Sequence, residues 1–105
     1  MKTSFVIPAS HPVFSGHFPE HPVVPGVLLL QQIEQAIIVQ YPAVRVMGIK
    51  RMKFLRMVMP DMPVDMEVVG KPISDDGSSI DLTVRLYIAG EIAAKGILTV
   101  GKAAV

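Results

Sequence analysis

The stretch from Val27 to Tyr41 constrains the fold most, because it has to form a helix that other elements must cover. It reads VLLLQQIEQAIIVQY and contains no proline or glycine, and its Leu, Gln, Ile, Glu and Ala residues favour helical backbone. Pro25 and Gly26 precede it, and Pro42 ends it. We expect a helix that is buried on nearly all sides, because its apolar positions cover most of the circumference: Val27, Leu28, Leu29, Leu30, Ile33, Ala36, Ile37, Ile38 and Val39.

Most of the remaining chain alternates between apolar and polar residues with a period of two, as half-buried strands do. The segment IDLTVRLYI places Ile80, Leu82, Val84, Leu86 and Ile88 on one face, and EIAAKGILTV repeats the pattern after an Ala89-Gly90 turn. The sequences MPDMP and SDDGSS predict two further turns. The predicted strands are residues 3–7, 46–57, 64–72, 79–88 and 91–100.

The order of elements is therefore one strand, one helix and four antiparallel strands. A curved antiparallel sheet wrapped around a long central helix is compatible with this order. The sheet shields the apolar helix, which would be unstable if it were exposed to water. No repeat, linker or low-complexity segment interrupts the chain. We expect an α+β fold in one domain, residues 1–105.

Composition narrows the function classes. Half of the 105 residues are hydrophobic and 18% are charged, which is typical of a folded chain whose leftover apolar surface meets a partner. There is no cysteine, so disulfides and thiolate zinc sites are excluded. No apolar run approaches the roughly 20 residues that span a bilayer, and the first residues lack the core of a signal peptide. We expect a soluble cytoplasmic protein with no membrane partner.

One connection is unusually stiff. Residues 16–26 read GHFPEHPVVPG, with two histidines, three prolines and two glycines. Proline fixes φ and removes a backbone donor, and the residue before it is pushed toward extended backbone. We expect a rigid, extended connection that holds a side chain in place.

This connection and the helix start carry a family resemblance. GHFPEHPVVPGVLLL resembles the H-F-P-x-x-P-x-x-P-G-V signature of hot-dog fold 3-hydroxyacyl-[acyl-carrier-protein] dehydratases. IKRMKFLRMVMPDMPVDMEV resembles that family's next block, usually a lysine-phenylalanine pair followed by a proline-glycine turn. The resemblance covers residues 4–70 and is greatest to short members associated with aryl polyene synthesis. It implies a hydro-lyase that converts a 3-hydroxyacyl thioester into a trans-2-enoyl thioester in fatty acid or polyene synthesis.

The resemblance also implies roles for individual residues. His17 is the expected base for the α-proton, and the backbone N–H of Gly26 is expected to bind the thioester carbonyl. The second role has its own physical basis, since a helix start presents free N–H groups and a positive dipole to developing negative charge. The prolines would hold His17 against that point.

The expected acid is where the sequence departs from the family. Members carry Asp or Glu fourteen residues after the histidine, and this position is Gln31, whose amide donates a hydrogen bond but no proton. Glu34 lies one helical turn further on and is the candidate replacement if its side chain is buried. The alternative is an ion-paired or surface-exposed glutamate. With Gln35 these residues form a polar stripe, which we expect to face the active-site tunnel or a partner's helix.

Two other histidines are expected to have no catalytic role. His21 varies in the family and is interpreted as a loop residue, and His11 is interpreted as structural or exposed. Prolines between the three histidines hinder their convergence, and no helical i, i+4 pair exists, so no metal site is expected. The resemblance implies no cofactor.

The expected partner is acyl carrier protein, which is acidic. Lys50, Arg51, Lys53 and Arg56 form the densest basic cluster, although strand alternation turns Arg51 and Lys53 one way and Lys50 and Arg56 the other. Nucleic acid is disfavoured, because acidic residues balance the basic ones and no aromatic stacking set accompanies them. Family members join their two catalytic residues across a dimer interface, so a homodimer or larger homo-oligomer is expected, or a heterodimer with a homologue.

Three functions remain open at this point. The first is a dehydratase that uses Glu34 or works slowly, and it is the preferred interpretation. The second is a catalytically impaired, carrier-binding subunit of a heteromeric dehydratase, which Gln31 favours. The third is a hot-dog acyl thioesterase, which the histidine motif disfavours.

Overall fold

The computed structural model describes residues 1–14, 23–70 and 79–102. These residues form one α-helix and five strands, with a short 3₁₀ turn at Pro12–Phe14. The helix α1 spans Gly26–Gln40. The strands are β1 (Lys2–Phe5), β2 (Val44–Phe54), β3 (Val64–Val69), β4 (Ile80–Ile88) and β5 (Glu91–Lys102).

The five strands form one sheet in the order β1-β3-β4-β5-β2, and every neighbouring pair is antiparallel. The turn between β4 and β5 is Ala89-Gly90, as predicted, and φ is positive at both residues, 50° and 81°. Two successive positive φ values match the twist of the flanking strands in a two-residue hairpin. The α+β prediction of an antiparallel sheet with one long helix is confirmed.

The strand ends differ from the predicted ones by up to three residues. β2 ends at Phe54 because the N–H groups of Leu55 and Arg56 both donate to the carbonyl of Ala93, at 2.8 and 3.1 Å, so the one-to-one ladder stops. β3 ends before Gly70, whose φ of 132° leaves strand geometry. The predicted turn at 59–63 is present and contains Asp61 at a φ of 62°. The predicted SDDGSS loop falls almost wholly on residues 71–78, outside the described residues.

The core lies between the inner face of the sheet and one face of α1. Its pattern along β4 is the predicted one, with buried residues alternating with outward-facing ones. The largest fully buried side chains are Ile33 and Ile37 from the helix and, from elsewhere, Met66, Leu82, Leu86, Leu98, Val44, Val58, Val64, Val84 and Val100.

The prediction that α1 is buried on nearly all sides is wrong for the single chain. Leu29, Ile33 and Ile37 are buried, whereas Val27 is 68% exposed and Val39 is 75% exposed. The reason is geometric, since one sheet can cover only one face of a helix. The opposite face remains open to solvent and carries both apolar and polar side chains.

Candidate active site

The start of α1 is fixed by the segment that precedes it. The N–H of Val24 donates to the carbonyl of Val58 at 2.7 Å, and both side chains are buried. Pro25 is the N-cap residue, and no side chain caps the first turn or places an acidic group there. The positive end of the helix dipole is therefore not neutralised by a side chain of the helix itself.

Gly26 lies in close contact with the end of β2. A Cβ atom at this position would lie 3.2 Å from two ring carbons of Phe54, tighter than an ordinary van der Waals contact. A side chain at residue 26 would have to push this ring aside. Glycine therefore lets the aromatic ring approach the first turn of the helix.

A cavity of about 390 Å³ opens beside this helix start. It is mainly apolar and contains one charged side chain, Arg56. An apolar cavity next to uncapped helix N–H groups can hold a hydrocarbon chain and polarise a carbonyl oxygen at its end. Its lining residues are Val23, Val24, Gly26, Leu29, Phe54, Leu55, Arg56, Met57 and Val58.

The predicted base, His17, lies outside the described residues, as does His21, and their roles stay predictions. His11 is described and has a structural role, as expected. Its Nδ1 accepts a hydrogen bond from the N–H of Val13 at 3.0 Å, and its ring meets Phe14 edge-on at 6.4 Å between centroids. These contacts stabilise the 3₁₀ turn.

Gln31 and Glu34 lie together, but not in the cavity that Gly26 lines. Both are exposed, and they line a separate groove of about 480 Å³ with Gln35, Ile38 and Val39. Glu34 lies at the surface of the single chain, which is one of the two alternatives that the sequence left open, because one sheet covers only one face of α1. The polar stripe faces away from the sheet.

The predicted basic cluster is divided by a β-bulge. The register of β2 against β5 shifts between Ile49 and Arg51, so Lys50 is an extra residue and the expected alternation fails there. Lys50 Nζ donates to Asp81 at 2.7 Å, on the outer face of β4, so Lys50 does not point away from Arg51 as predicted. The hydrogen bond from Lys50, followed by one from Thr99, lowers the pKa of the Asp81 carboxyl below its usual 3.8.

Arg56 forms an ion pair away from the other three basic residues. Its guanidinium pairs with the carboxylate of Glu91 at the rim of the apolar cavity. Among the described residues, Lys50 and Arg56 of the predicted cluster are therefore held in ion pairs. Arg51 and Lys53 form no ion pair there and lie on one surface.

The outer face of the sheet adds two basic residues that sequence reasoning missed. Lys95 pairs in register with Lys53 and with Arg85, and Arg51 lies two residues before Lys53 on the same face of β2. Together Arg51, Lys53, Arg85 and Lys95, here called the basic row, line a depression of about 400 Å³. The alternation of β4 and β5 placed Arg85 and Lys95 outward, but nothing local in the sequence showed their register with β2.

The residues that the structure describes contain neither a membrane-spanning helix nor a cluster of metal ligands. Among them, no helix is long and apolar enough to cross a membrane. No group of three or more metal-ligating side chains is found in the same residues.

Comparison with known proteins is consistent with this geometry. Residues 1–91 match the ApeI-like family, the ApeI dehydratases. A 3-hydroxyacyl-[acyl-carrier-protein] dehydratase FabZ from Ruminiclostridium cellulolyticum is 31% identical over an alignment of 103 residues, and the match covers 86% of this chain and 68% of the relative. The dehydratase heterocomplex ApeI:P from Xenorhabdus doucetiae has a TM-score of 0.76 at 19% identity, over 95% of this chain and 85% of that one. An (R)-hydratase from A. caviae, involved in PHA biosynthesis, also has a TM-score of 0.76, at 22% identity, over 95% and 91% of the two chains.

Proposed function

This chain belongs to the ApeI-like dehydratase family, and we propose from that premise that it removes water from a 3-hydroxyacyl thioester carried by acyl carrier protein. It is a hydro-lyase with the hot-dog fold. The observation that supports this chemistry best is the uncapped start of α1 beside an apolar cavity of about 390 Å³. That arrangement suits an acyl chain that ends in a polarised carbonyl.

The proposed reaction breaks the C2–H and C3–O bonds and forms the C2–C3 double bond. A ring nitrogen of His17 takes the C2 proton, and the electron pair moves toward the thioester oxygen. The N–H of Gly26 stabilises the charge on that oxygen. The electrons then return to expel the C3 hydroxyl group, which leaves as water once it receives a proton.

We propose Glu34 as the donor of that last proton. Gln31 occupies the position that the family gives to its acid, and an amide can only orient the hydroxyl group by a hydrogen bond. Glu34 lies in the same groove as Gln31 and has a carboxyl group. In the single chain this groove is open to solvent, so a partner chain has to close it before the carboxyl group can act as a shielded acid.

The sheet edge supports a dimer that would supply such a partner. β2 is the terminal strand of the sheet, is eleven residues long and contains no proline. Met47 is 55% exposed on it and Ile49 is 50% exposed. An edge strand with unpaired backbone N–H and C=O groups and exposed apolar side chains can pair with another strand. We therefore propose that two chains join along β2 and bring their helices side by side.

We propose the basic row as the docking surface for the carrier protein. Lys53 and Lys95 lie opposite each other, an unfavourable arrangement unless an acidic partner or solvent ions neutralise it. Lys53 directly precedes Phe54, which packs beside Gly26, so the row begins at the end of β2 that borders the proposed acyl site, on the opposite face of the sheet. An acidic carrier bound there would present its thioester arm at the end of the sheet nearest the cavity.

A second candidate function is supported by Gln31. If no carboxyl group replaces the missing acid, the chain would be the carrier-binding subunit of a heteromeric dehydratase. The structural neighbour from Xenorhabdus doucetiae is itself described as a dehydratase heterocomplex.

A product assay separates these functions. The purified chain is incubated with a 3-hydroxyacyl thioester on acyl carrier protein, and the carrier is analysed by mass spectrometry. We expect a species that has lost one water and retains the thioester. Release of the free acid and carrier thiol would show a thioesterase instead. Binding of the carrier without turnover, with turnover restored by a homologous second chain, would show the binding subunit.

A further inference from the structure

One turn holds the chain at both ends of the segment that contains His17. This segment, residues 10–23, is here called the histidine segment. At its start, the N–H of Asp61 donates to the carbonyl of Ile7 at 2.8 Å, and Asp61 Oδ1 accepts from the N–H of Ala9 at 2.9 Å. Asp61 therefore binds the incoming chain with its backbone and with its side chain.

The same turn holds the end of the histidine segment. The N–H of Val24 donates to the carbonyl of Val58 at 2.7 Å, and Val24 leads directly into Pro25 and the start of α1. Val58 and Asp61 are three residues apart, so their Cα atoms are separated by no more than roughly 11 Å. Both flanks of the histidine segment are thus attached to one short stretch of chain, and the helix start is attached to it as well.

The backbone conformation of Asp61 limits which residues can replace it. Its φ of 62° lies in the left-handed region, which glycine, asparagine and aspartate adopt more readily than other residues. Pro60 precedes it, and the N–H of Met62 donates to the carbonyl of Met59 at 3.4 Å, as in a β-turn that needs a positive φ at its third position. Glycine would fit this backbone, but it has no oxygen for the N–H of Ala9.

The hydrogen bond to Ala9 is not needed to satisfy a buried donor. Ala9 is exposed, so water would bind its N–H if the carboxylate were absent. The bond does not anchor the core either, since Ile7 is buried and is bonded to the backbone of Asp61 in any case. What the carboxylate adds is a fixed direction for the chain beyond Ile7.

Further hydrogen bonds carry this direction toward the middle of the histidine segment. The N–H of His11 donates to the carbonyl of Pro8 at 2.9 Å. The N–H of Phe14 donates in turn to the carbonyl of His11 at 3.1 Å. The bonded series therefore runs from Asp61 to Phe14, three residues before His17.

We propose that Asp61 is a positioning residue for the dehydration, because its carboxylate fixes the start of the histidine segment and so the distance from the His17 ring to the N–H of Gly26. The inference rests on the proposed function. A base has to come within about 3 Å of the proton that it removes, and a misplacement of about 1 Å can cost roughly 10²-fold in rate. Asp61 does not line the acyl cavity, so its loss should lower kcat and leave KM almost unchanged.

Two substitutions separate the hydrogen bond from the backbone conformation. Asp61→Gly keeps the positive φ and removes the acceptor, whereas Asp61→Asn keeps a side-chain oxygen and also tolerates this backbone. Dehydration is measured well below the unfolding temperature of each variant, so that lower stability alone does not change kcat. We expect Asp61→Gly to lower kcat about 10-fold with KM within about twofold of the wild type, and Asp61→Asn to stay within about threefold in kcat. Unchanged kcat in Asp61→Gly, or an equal loss in Asp61→Asn, would overturn the proposal.

NMR of the histidine rings tests the positioning without turnover. The chain is prepared with isotope-labelled histidine, and each ring signal is assigned by replacing the three histidines in turn. We expect the His17 signal to shift in Asp61→Gly and to keep its position in Asp61→Asn. Identical His17 signals in the wild type and in Asp61→Gly would overturn the proposal. If the His17 signal responds as expected but the wild type forms no enoyl thioester, the positioning stands and the proposed dehydration fails.

Discussion

Gln31 and Glu34 determine, at the scale of single residues, whether the proposed reaction has an internal acid. Loss of a general acid typically costs 10²- to 10⁴-fold in rate, on the order of 3–5 kcal/mol of barrier. The two side chains line one groove, yet in the single chain neither is shielded from water. Their contribution is therefore a question of assembly as well as of chemistry.

Substitution at these two positions identifies the acid. If Glu34 donates the proton, Glu34→Gln should lower kcat by roughly 10²-fold or more, because an amide has no proton to give. Turnover is measured at a protein concentration where light scattering shows the dimer, so that loss of assembly is not mistaken for loss of acid. The matched change Gln31→Asp restores the family's own acid, and in the Glu34→Gln background it should recover measurable rate. A wild type that turns over briskly and is indifferent to both changes would exclude an acid on this helix.

At the scale of elements, the contact between β5 and the bulged part of β2 controls the geometry of the sheet edge. Gly96 on β5 lies against the backbone of β2, and a Cβ there would contact the carbonyl oxygen of Arg51 and lie 2.8 Å from the sulfur of Met52. Gly48 lies on β2 near the same bulge, and a Cβ there would meet nothing within 4 Å. Gly96 and Gly48 therefore serve as a test position and its control, because only the first has no room for a side chain.

Gly96→Ala should therefore destabilise the chain by about 1–3 kcal/mol, because backbone has to move to admit the methyl group. Gly48→Ala should change the free energy of unfolding by no more than about 0.5 kcal/mol. Urea unfolding at one fixed protein concentration measures both, since dimerisation makes stability depend on concentration. Equal stability of the two variants would show that β2 is not held against Gly96 as described.

The helix and strands could be predicted from the sequence because the residue patterns that indicate them are local. The run from Val27 to Tyr41 indicates a helix, and the alternation from Ile80 to Ile88 indicates a strand. The structure confirms both elements. The exposure of Val27 and Val39 was not predicted. The sequence shows that an apolar helix face has to be buried, but it does not show whether the same chain or a partner buries it. The direction of Lys50 was missed, because a bulge depends on pairing between distant strands.

The candidate site was predictable only in part. Gly26 was identified from the motif, and the structure places it beside an apolar cavity, as its proposed role requires. Arg85 and Lys95 were missed as members of the basic row, since their neighbours on β2 are more than thirty residues away in sequence. The role of His17, the single domain and a cytoplasmic location stay predictions.

At the scale of the whole molecule, the basic row predicts a charge-dependent docking step. Arg51→Glu combined with Lys95→Glu should raise KM for a carrier-borne substrate about 10-fold or more, because two attractive contacts become repulsive. KM for the same acyl group on a small uncharged thiol should not change. Steady-state kinetics at two salt concentrations measure this, and the salt dependence should weaken in the variant.

Arg45→Glu is the matched control for that prediction. Arg45 lies on the same strand, is exposed and does not line the depression formed by the basic row. The Arg45→Glu substitution changes the net charge by the same amount as each substitution in the basic row. If Arg45→Glu raises KM as strongly per substitution as the changes in the row do, overall charge and not a docking surface is responsible.

The measurement that tests the central claim most directly compares two histidines of the same connection. His17→Ala and His21→Ala are assayed for formation of the trans-2-enoyl thioester from a 3-hydroxyacyl thioester, with circular dichroism confirming that both variants fold. The account predicts that His17→Ala loses at least roughly 10²-fold in rate and that His21→Ala stays within about twofold of the wild type. A folded His17→Ala variant with unchanged turnover would contradict the account.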